Sequence, residues 1–236
     1  MAEMTLHWSP LSPFVRKVMC VAHESDLVSR IHCLRTKVAS QKPNLDLLPD
    51  NPLIKIPTLV LADGRALFDS VVICEYLNSL AGEGHLYPAD GDSRWQALRW
   101  QAFGDGLCDT LIAWRHERDR AVEHQAHALL VALQLKVQAS LDQLAQEVIQ
   151  LERSRFGIGH IAIGCALGYL GVRFADMLWQ ASRPELAAWH AAFEQRPAAL
   201  ATRPPSRLDA FGHPHLDPEI NRFTQAGAMA KDVFIL

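Results

Sequence analysis

Hydrophobic and polar residues follow two different periods along the first third of the chain. Apolar side chains stand at every second position from 4 to 8, which predicts a strand. From Phe14 onward they recur at every third or fourth position, which predicts a helix. Ser12 stands at the N-cap position of that helix and Pro13 at its first position, and both residue types favour a helix start there. We therefore predict a strand, a tight turn and a helix, with the Ser12 hydroxyl at the turn.

The same reading predicts that a small α/β unit ends near Ala81. Asp63-Gly64 lies between two short apolar runs, and this dipeptide is typical of a hairpin turn. Asp69-Ser70 opens a further helical pattern, whose end is marked by Gly82. After the first helix we expect a strand at 31–34, a short helix or irregular segment at 42–48, a hairpin at 58–68 and a helix from 70. The predicted order is βαβαββα.

Beyond a predicted linker at 82–91, the pattern becomes helical throughout. The stretch 158–174 is apolar nearly all round, which is typical of a buried central helix. Amphipathic helical patterns occupy 92–118, 123–153 and 184–195. We therefore predict a first domain at 1–81, an all-helical domain at 92–205 and an extended C-terminal tail at 206–236.

Bulk composition excludes several function classes. The 236 residues are 49% hydrophobic and 21% charged, with a net charge of −3, so nothing indicates binding to nucleic acid or to a membrane surface. No apolar run is long enough to span a bilayer, and the N-terminus is not a signal peptide. The five cysteines and eleven histidines show no metal-ligand spacing, so we expect no metal. These features predict a cytoplasmic protein.

Four motifs resemble, in their order and spacing, those of the cytosolic glutathione transferase family. They are SPFVRKV at 12–18, NPLIKIP at 51–57, FDS at 68–70 and RPELAAW at 183–189. The match extends over residues 4–205, and the serine at the turn is similar to that of serine-type and related bacterial members. The resemblance implies a thioredoxin-like, glutathione-binding α/β domain followed by an all-α domain.

The resemblance implies that Ser12 is the catalytic residue and donates a hydrogen bond to the glutathione sulfur. A serine hydroxyl is not ionised at neutral pH, so it stabilises the thiolate rather than acting as a base. Lowering a thiol pKa by about two units requires roughly 2.7 kcal/mol, which one charge-assisted hydrogen bond and a helix dipole supply. Ser9 is the alternative, because it lies near the position of the cysteine in cysteine-type relatives. As a helix cap alone, Ser12 needs no ligand at all.

The resemblance also assigns the glutathione contacts. A cis Pro57 would present the backbone of Ile56 to the cysteinyl residue of glutathione, as an added strand does. Ser70 and Asp69 would bind the carboxylate and ammonium of the γ-glutamyl end. The glycine carboxylate would meet Lys42 and Lys55. The predicted glutathione-binding residues are thus Phe14, Lys42, Lys55, Ile56, Pro57, Asp69 and Ser70.

On the family pattern, the electrophile pocket lies between the domains. Its predicted lining is Leu11, Phe103, Leu107, Thr110 and Trp114. Gly104 and Gly106 interrupt the long helix there, which indicates close approach of another group. A departure from the family occurs where the buried helix begins. Gly157 and His160 replace the usual Ser/Thr and Asp of a capping box, which predicts the loss of a cap and a weaker helix start.

Three functions are compatible with these residues. The first is a homodimeric detoxification enzyme that conjugates the glutathione thiolate to a hydrophobic electrophile. The second is a glutathione-dependent peroxidase or reductase, although no cysteine lies at the turn where reductases of this fold carry one. The third is a non-catalytic glutathione-binding or regulatory protein on the same fold, because fold does not fix function.

Overall fold

The structure is a computed structural model that describes residues 3–39, 42–82 and 86–205. The first domain holds a mixed sheet in the order β2-β1-β3-β4, in which β1 and β2 are parallel and the other pairs antiparallel. Its strands are β1 Met4–Trp8, β2 Ile31–Arg35, β3 Thr58–Val60 and β4 Ala66–Leu67, and its helices are α1 Pro13–Glu24 and α2 Ser70–Leu80. In the central strand, Leu6 faces Leu59 of β3 and Cys33 of β2.

The segment between β2 and β3 contains a single 3-10 turn, Leu45–Leu47. Asn44 caps this turn through its side chain, which accepts the N–H of Asp46. Proline residues on both sides, Pro43 and Pro49, keep the turn from extending into an α-helix. The sequence predicts either a short helix or an irregular segment at 42–48, and the structure has only this 3-10 turn in the described residues.

In the first domain, the predicted hairpin at 58–68 and the predicted start of the helix at Ser70 are confirmed. Gly64 adopts a φ of +85°, which only glycine adopts without strain, and the Asp63 carboxylate accepts the N–H of Arg65. Asp69 is the N-cap of α2, and its Oδ1 accepts the N–H of Val71 at 2.9 Å.

The second domain is helical, as the pattern predicts. Its α-helices are α3 Gly91–Arg118, α4 His127–Arg153, α5 Ile158–Arg173, α6 Trp179–Ser182, α7 Pro184–Glu194 and α8 Pro197–Ala201. Every residue of α5 from Ile158 to Leu170 is buried, which confirms the predicted central helix. The short α6 and α8 were not predicted, and the tail predicted at 206–236 lies outside the described residues. In the described ranges, no single helix is long and apolar enough to cross a membrane.

Gly104 allows the backbones of α3 and α5 to come into contact. A Cβ at Gly104 would lie 2.5 Å from the carbonyl carbon of Ala162, so this position requires glycine, as predicted. A Cβ at Gly106 would meet no atom within 4 Å, so the predicted close approach is wrong for Gly106.

The predicted loss of the N-cap side-chain bond at α5 is confirmed, because Gly157 offers no side chain. His160 keeps the reciprocal bond, since its Nδ1 accepts the N–H of Gly157 at 3.2 Å, while its Nε2 lies 3.0 Å from the Leu151 carbonyl oxygen. Gly157 is required for a different reason. A Cβ there would lie 2.5 Å from the carbonyl oxygen of Leu86, which accepts the N–H of Ile158. The glycine therefore lets Leu86, within the predicted linker, contact the start of the buried helix.

Ion pairs fasten α1 to the helical domain. Lys17 is 1% exposed and donates to both carboxylate oxygens of Asp105 in α3, at 2.6 and 2.7 Å. The other two pairs are Arg16–Glu194, which is bidentate, and Glu24–Arg196. Because α1 begins at the predicted catalytic turn, these pairs fix that turn against the helical domain.

Candidate functional site

The turn between β1 and α1 presents the Ser12 hydroxyl. Ser12 has extended backbone angles, and its Oγ accepts the N–H of Val15 at 3.3 Å. The cap uses one lone pair of the hydroxyl, so its hydrogen remains free to donate to another group. Ser9 lies earlier in the turn, where its Oγ is 3.5 Å from the N–H of Leu11. Ser12, and not Ser9, is therefore at the positive end of the α1 dipole.

The loop before β3 holds Ile56 at the end of the sheet. The Ile56–Pro57 peptide is cis, as the resemblance implies. The ladder between β1 and β3 ends at Thr58, so the backbone of Ile56 lies beyond the paired strands. Asn51 is 1% exposed and supports this loop, since its Nδ2 donates to the Lys55 carbonyl and the Thr58 hydroxyl. The sequence motif contains Asn51, but its positioning role is visible only in the structure.

The first turn of α2 carries the next two predicted residues, Asp69 and Ser70. Ser70 is buried and Asp69 is exposed, with its Oδ1 engaged in the cap. Burial raises the pKa of the Asp109 carboxyl on α3; the Lys55 ammonium opposes this rise and the Asp69 carboxylate adds to it. The structure thus brings together Lys55, Asp69 and Asp109. No sequence signal singles out Asp109, because it comes from a distant helix.

Lys42 is exposed and lies beside residues 40–41, which are outside the described ranges. Its backbone N–H donates to the Ala39 carbonyl at 3.3 Å. Within the described part of the chain, its side chain forms no hydrogen bond or ion pair with the other predicted residues.

A narrow cleft of about 10 Å³ opens beside Ser12, between α1 and α5. It is lined by Leu11, Ser12, Pro13, Arg16, Cys165, Tyr169, Val172, Arg173 and Pro204. The sequence did not predict that the end of α5 lines this cleft, because the apolar stretch 158–174 indicates only a buried helix.

Comparison with known proteins agrees with this geometry. The family model of the glutathione S-transferase N-terminal domain matches residues 11–80. A glutathione transferase family member from Pseudomonas fluorescens Pf-5, solved with bound glutathione, is 40% identical with a TM-score of 0.83, over 86% of this chain and 99% of that one. The chain belongs to the glutathione S-transferase family.

Other members of the family extend the comparison. A glutathione S-transferase from Methylobacillus flagellatus KT, solved with glutathione bound, is 35% identical with a TM-score of 0.76, over 85% of this chain and 99% of that one. The uncharacterized GST-like protein YibF of Escherichia coli K12 is 29% identical, over 86% of this chain and 99% of its own length. The fold of a glutathione transferase is thereby shown for nearly the whole length of these relatives.

The residues predicted to line the electrophile pocket lie in different surroundings. Of its residues, Leu11 lines the cleft beside Ser12, whereas Leu107 and Trp114 are buried in the core of the helical domain. Trp114 stacks on Phe174 with ring centroids 4.7 Å apart. An apolar stripe at helical spacing identifies the buried face of α3, and most of that face packs against α5 and α4.

The other predicted residues near the pocket also lie outside the cleft. Phe14 and Phe103 are half-buried and pack against the same core. Thr110 is half-buried, and its hydroxyl donates to the Gly106 carbonyl at 2.8 Å within α3.

Charge near the cleft is controlled by buried pairs. Although burial alone would raise it, the nearby His190 ring and two hydrogen bonds from Arg16 hold the pKa of the Glu194 carboxyl at about 2. Arg16 is therefore neutralised by a permanently ionised partner. Burial raises the pKa of the Cys165 thiol well above its ordinary value, so this thiol is protonated at neutral pH and is a poor nucleophile.

Proposed function

We propose that this protein is a glutathione transferase in which Ser12 stabilises the glutathione thiolate for attack on a small electrophile. The observation that carries the proposal is the position of the Ser12 hydroxyl. It caps α1 as an acceptor, keeps its hydrogen free, and faces a cleft between the two domains. A hydrogen-bond donor at a helix N-terminus favours a negative charge beside it.

Glutathione would lie beside the backbone of Ile56, just beyond the end of the β1–β3 ladder. The backbone of Ile56 pairs with the cysteinyl residue, and the Asn51 side chain holds the loop in position. Ser70 and the α2 N-terminus bind the γ-glutamyl carboxylate, and Asp69 pairs with the ammonium. Lys55 and Lys42 meet the glycine carboxylate. Relatives from P. fluorescens Pf-5 bind glutathione and S-(propanoic acid)-glutathione, which supports a site of this kind.

The reaction is a group transfer. The bound thiol loses its proton to solvent, and Ser12 stabilises the sulfur anion. The sulfur then forms a bond to the electrophilic carbon. In a substitution, the leaving group departs with the electron pair of the broken bond. In an addition to an activated alkene, the adjacent carbon takes a proton from water. Ser12 acts only as a hydrogen-bond donor in these steps.

The proposal includes a domain organisation and an assembly. We assign residues 1–81 to the thioredoxin-like domain, 82–91 to the linker, 92–205 to the helical domain and 206–236 to the tail. We also propose a cytoplasmic homodimer, in keeping with five free cysteines and with exposed apolar side chains on α2 and α3. Val72 is 46% exposed and Trp95 69% exposed. Sedimentation of wild type and Trp95→Glu tests the dimer.

The decisive experiment measures glutathione affinity by calorimetry and thiol ionisation by thiolate absorbance against pH. Wild type should bind glutathione and lower its thiol pKa, whereas Ser12→Ala should bind it without the lowered pKa. Ser9→Ala is the matched control and should keep the lowered pKa. A loss confined to Ser9→Ala would transfer the role to Ser9.

Two further outcomes select among the alternative functions. Binding without thiol ionisation in wild type would indicate a non-catalytic glutathione-binding protein. Absence of binding at millimolar glutathione would refute the proposed enzyme.

A further inference from the structure

The cleft beside the catalytic turn carries a guanidinium that forms no ion pair with any residue that the structure describes. Arg173 is the last residue of α5 and lines the cleft together with Ser12. Its nearest aromatic neighbour is Tyr169, one turn earlier on α5, whose ring centroid lies 5.9 Å from the Arg173 guanidinium carbon. Both side chains face the space in which an electrophile would meet the glutathione sulfur.

In the described part of the chain, Arg173 forms no ion pair, and its Nε is buried without a hydrogen-bond partner. The other arginines near the domain boundary differ in this respect. Arg16 is paired with Glu194, and Arg196 with Glu24. The groups that favour the charge of Arg173 are the Tyr169 side chain and, more weakly, the Asp119 carboxylate, which forms no ion pair with it.

A second guanidinium increases the local positive charge. Arg115 of α3 has its own Nε buried without a partner, and its NH2 group reaches only the His116 ring at 2.7 Å and not a carboxylate. Its Nε is 3.8 Å from Asp119, which is largely exposed. Burial lowers the pKa of Arg173 from its ordinary value. The Tyr169 side chain opposes this shift, and the positive charge of Arg115 adds to it. The cleft wall therefore carries a half-buried guanidinium that has no ion pair of its own among the described residues.

Burying such a charge costs free energy unless an anion pairs with it. A partly desolvated guanidinium gains most from a carboxylate, which accepts two parallel hydrogen bonds from its fork of donors. The proposed site already assigns the glycine carboxylate of glutathione to Lys42 and Lys55. The anion at Arg173 would belong to the second substrate.

We infer that the electrophile carries a carboxylate, which Arg173 binds while the reactive carbon faces the sulfur beside Ser12. This inference rests on the proposed function. Because Ser12 and Arg173 line the same narrow cleft, the carboxylate and the reactive carbon are close together, as in short α,β-unsaturated or α-halogenated acids. With an unsaturated acid, the sulfur bonds to the β-carbon, the α-carbon takes a proton from water, and Arg173 offsets the negative charge that develops toward the carboxylate.

The test compares two conjugates that differ only in charge. Calorimetry measures binding of S-(2-carboxyethyl)glutathione, its amide S-(2-carbamoylethyl)glutathione, and glutathione itself. Wild type should bind the acid about tenfold more tightly than the amide, which is the size expected for one partly buried charge-assisted contact. Arg173→Gln should abolish this preference and leave glutathione affinity unchanged. Arg173→Lys should retain part of it, because it keeps the charge and loses the fork.

Arg118→Gln is the matched control. Arg118 lies at the end of α3 and is paired with Asp176. It does not line the cleft. Its variant removes the same charge from the same end of the domain and should keep the acid preference.

Three results would overturn the inference. Equal binding of acid and amide by wild type does so without any variant and leaves the proposed transferase intact, provided that glutathione binds. An equal loss of affinity for glutathione and for both conjugates in Arg173→Gln would assign Arg173 to glutathione itself. Failure of wild type to bind glutathione would remove both the proposed function and the inference.

Discussion

The buried Lys17–Asp105 pair gives a prediction about how the two domains are held together. The Lys17 side chain is 1% exposed and that of Asp105 17% exposed, and the ammonium reaches both carboxylate oxygens. Asp105→Asn leaves the ammonium buried against a neutral amide. Breaking a buried ion pair in this way costs about 3–5 kcal/mol. For a chain of this length, the melting temperature should fall by roughly 6–20 °C.

The assay is urea unfolding followed by tryptophan fluorescence and far-ultraviolet circular dichroism. Coincident transitions by the two probes justify a single free energy of unfolding. The double variant Lys17→Met/Asp105→Leu removes both charges and should recover most of the loss, because a buried pair replaced by apolar groups is often neutral. Glu75→Gln is the control. It removes an exposed pair with Arg94 between α2 and α3, and should cost at most about 1 kcal/mol.

A cost for Asp105→Asn no larger than that of Glu75→Gln would refute this reasoning. So would a double variant as unstable as the single one. Either result would show that the ammonium finds water or another acceptor when Asp105 is lost, and that packing of α1 against α3 holds the domains together.

Two further predictions concern the start of α5. Gly157→Ala places a Cβ 2.5 Å from the Leu86 carbonyl oxygen and should cost about 1–3 kcal/mol in urea unfolding, whereas Gly106→Ala, which meets nothing within 4 Å, should stabilise by about 0.5–1 kcal/mol. Burial lowers the pKa of His160 in the folded protein, although its bond to Leu151 opposes this shift. Its contribution to stability is therefore complete above pH ~6.5, the unfolded value, and is lost as pH falls below it. The difference in unfolding free energy between wild type and His160→Gln should accordingly shrink from pH 7.5 to pH 5.5, and a constant difference would contradict the assignment.

The sequence by itself determined the local elements and their order. Alternation in β1, the Ser12-Pro13 start of α1, the Asp63-Gly64 turn and the apolar α5 each reflect preferences within a few neighbouring residues. Periodicity therefore predicts them without knowledge of the rest of the chain. The motif resemblance added the family and the candidate glutathione residues.

Only the tertiary structure decided which side chains meet across the fold. Periodicity shows that Leu107 and Trp114 lie on an apolar face, but not whether that face meets α5 or a ligand. The approach of Asp109 to Lys55 and the position of Arg173 beside Ser12 likewise join residues far apart in the chain. Such contacts depend on how helices pack, and packing is set by the shapes and charges of both helices together. The pattern along one segment describes only one of the two helices.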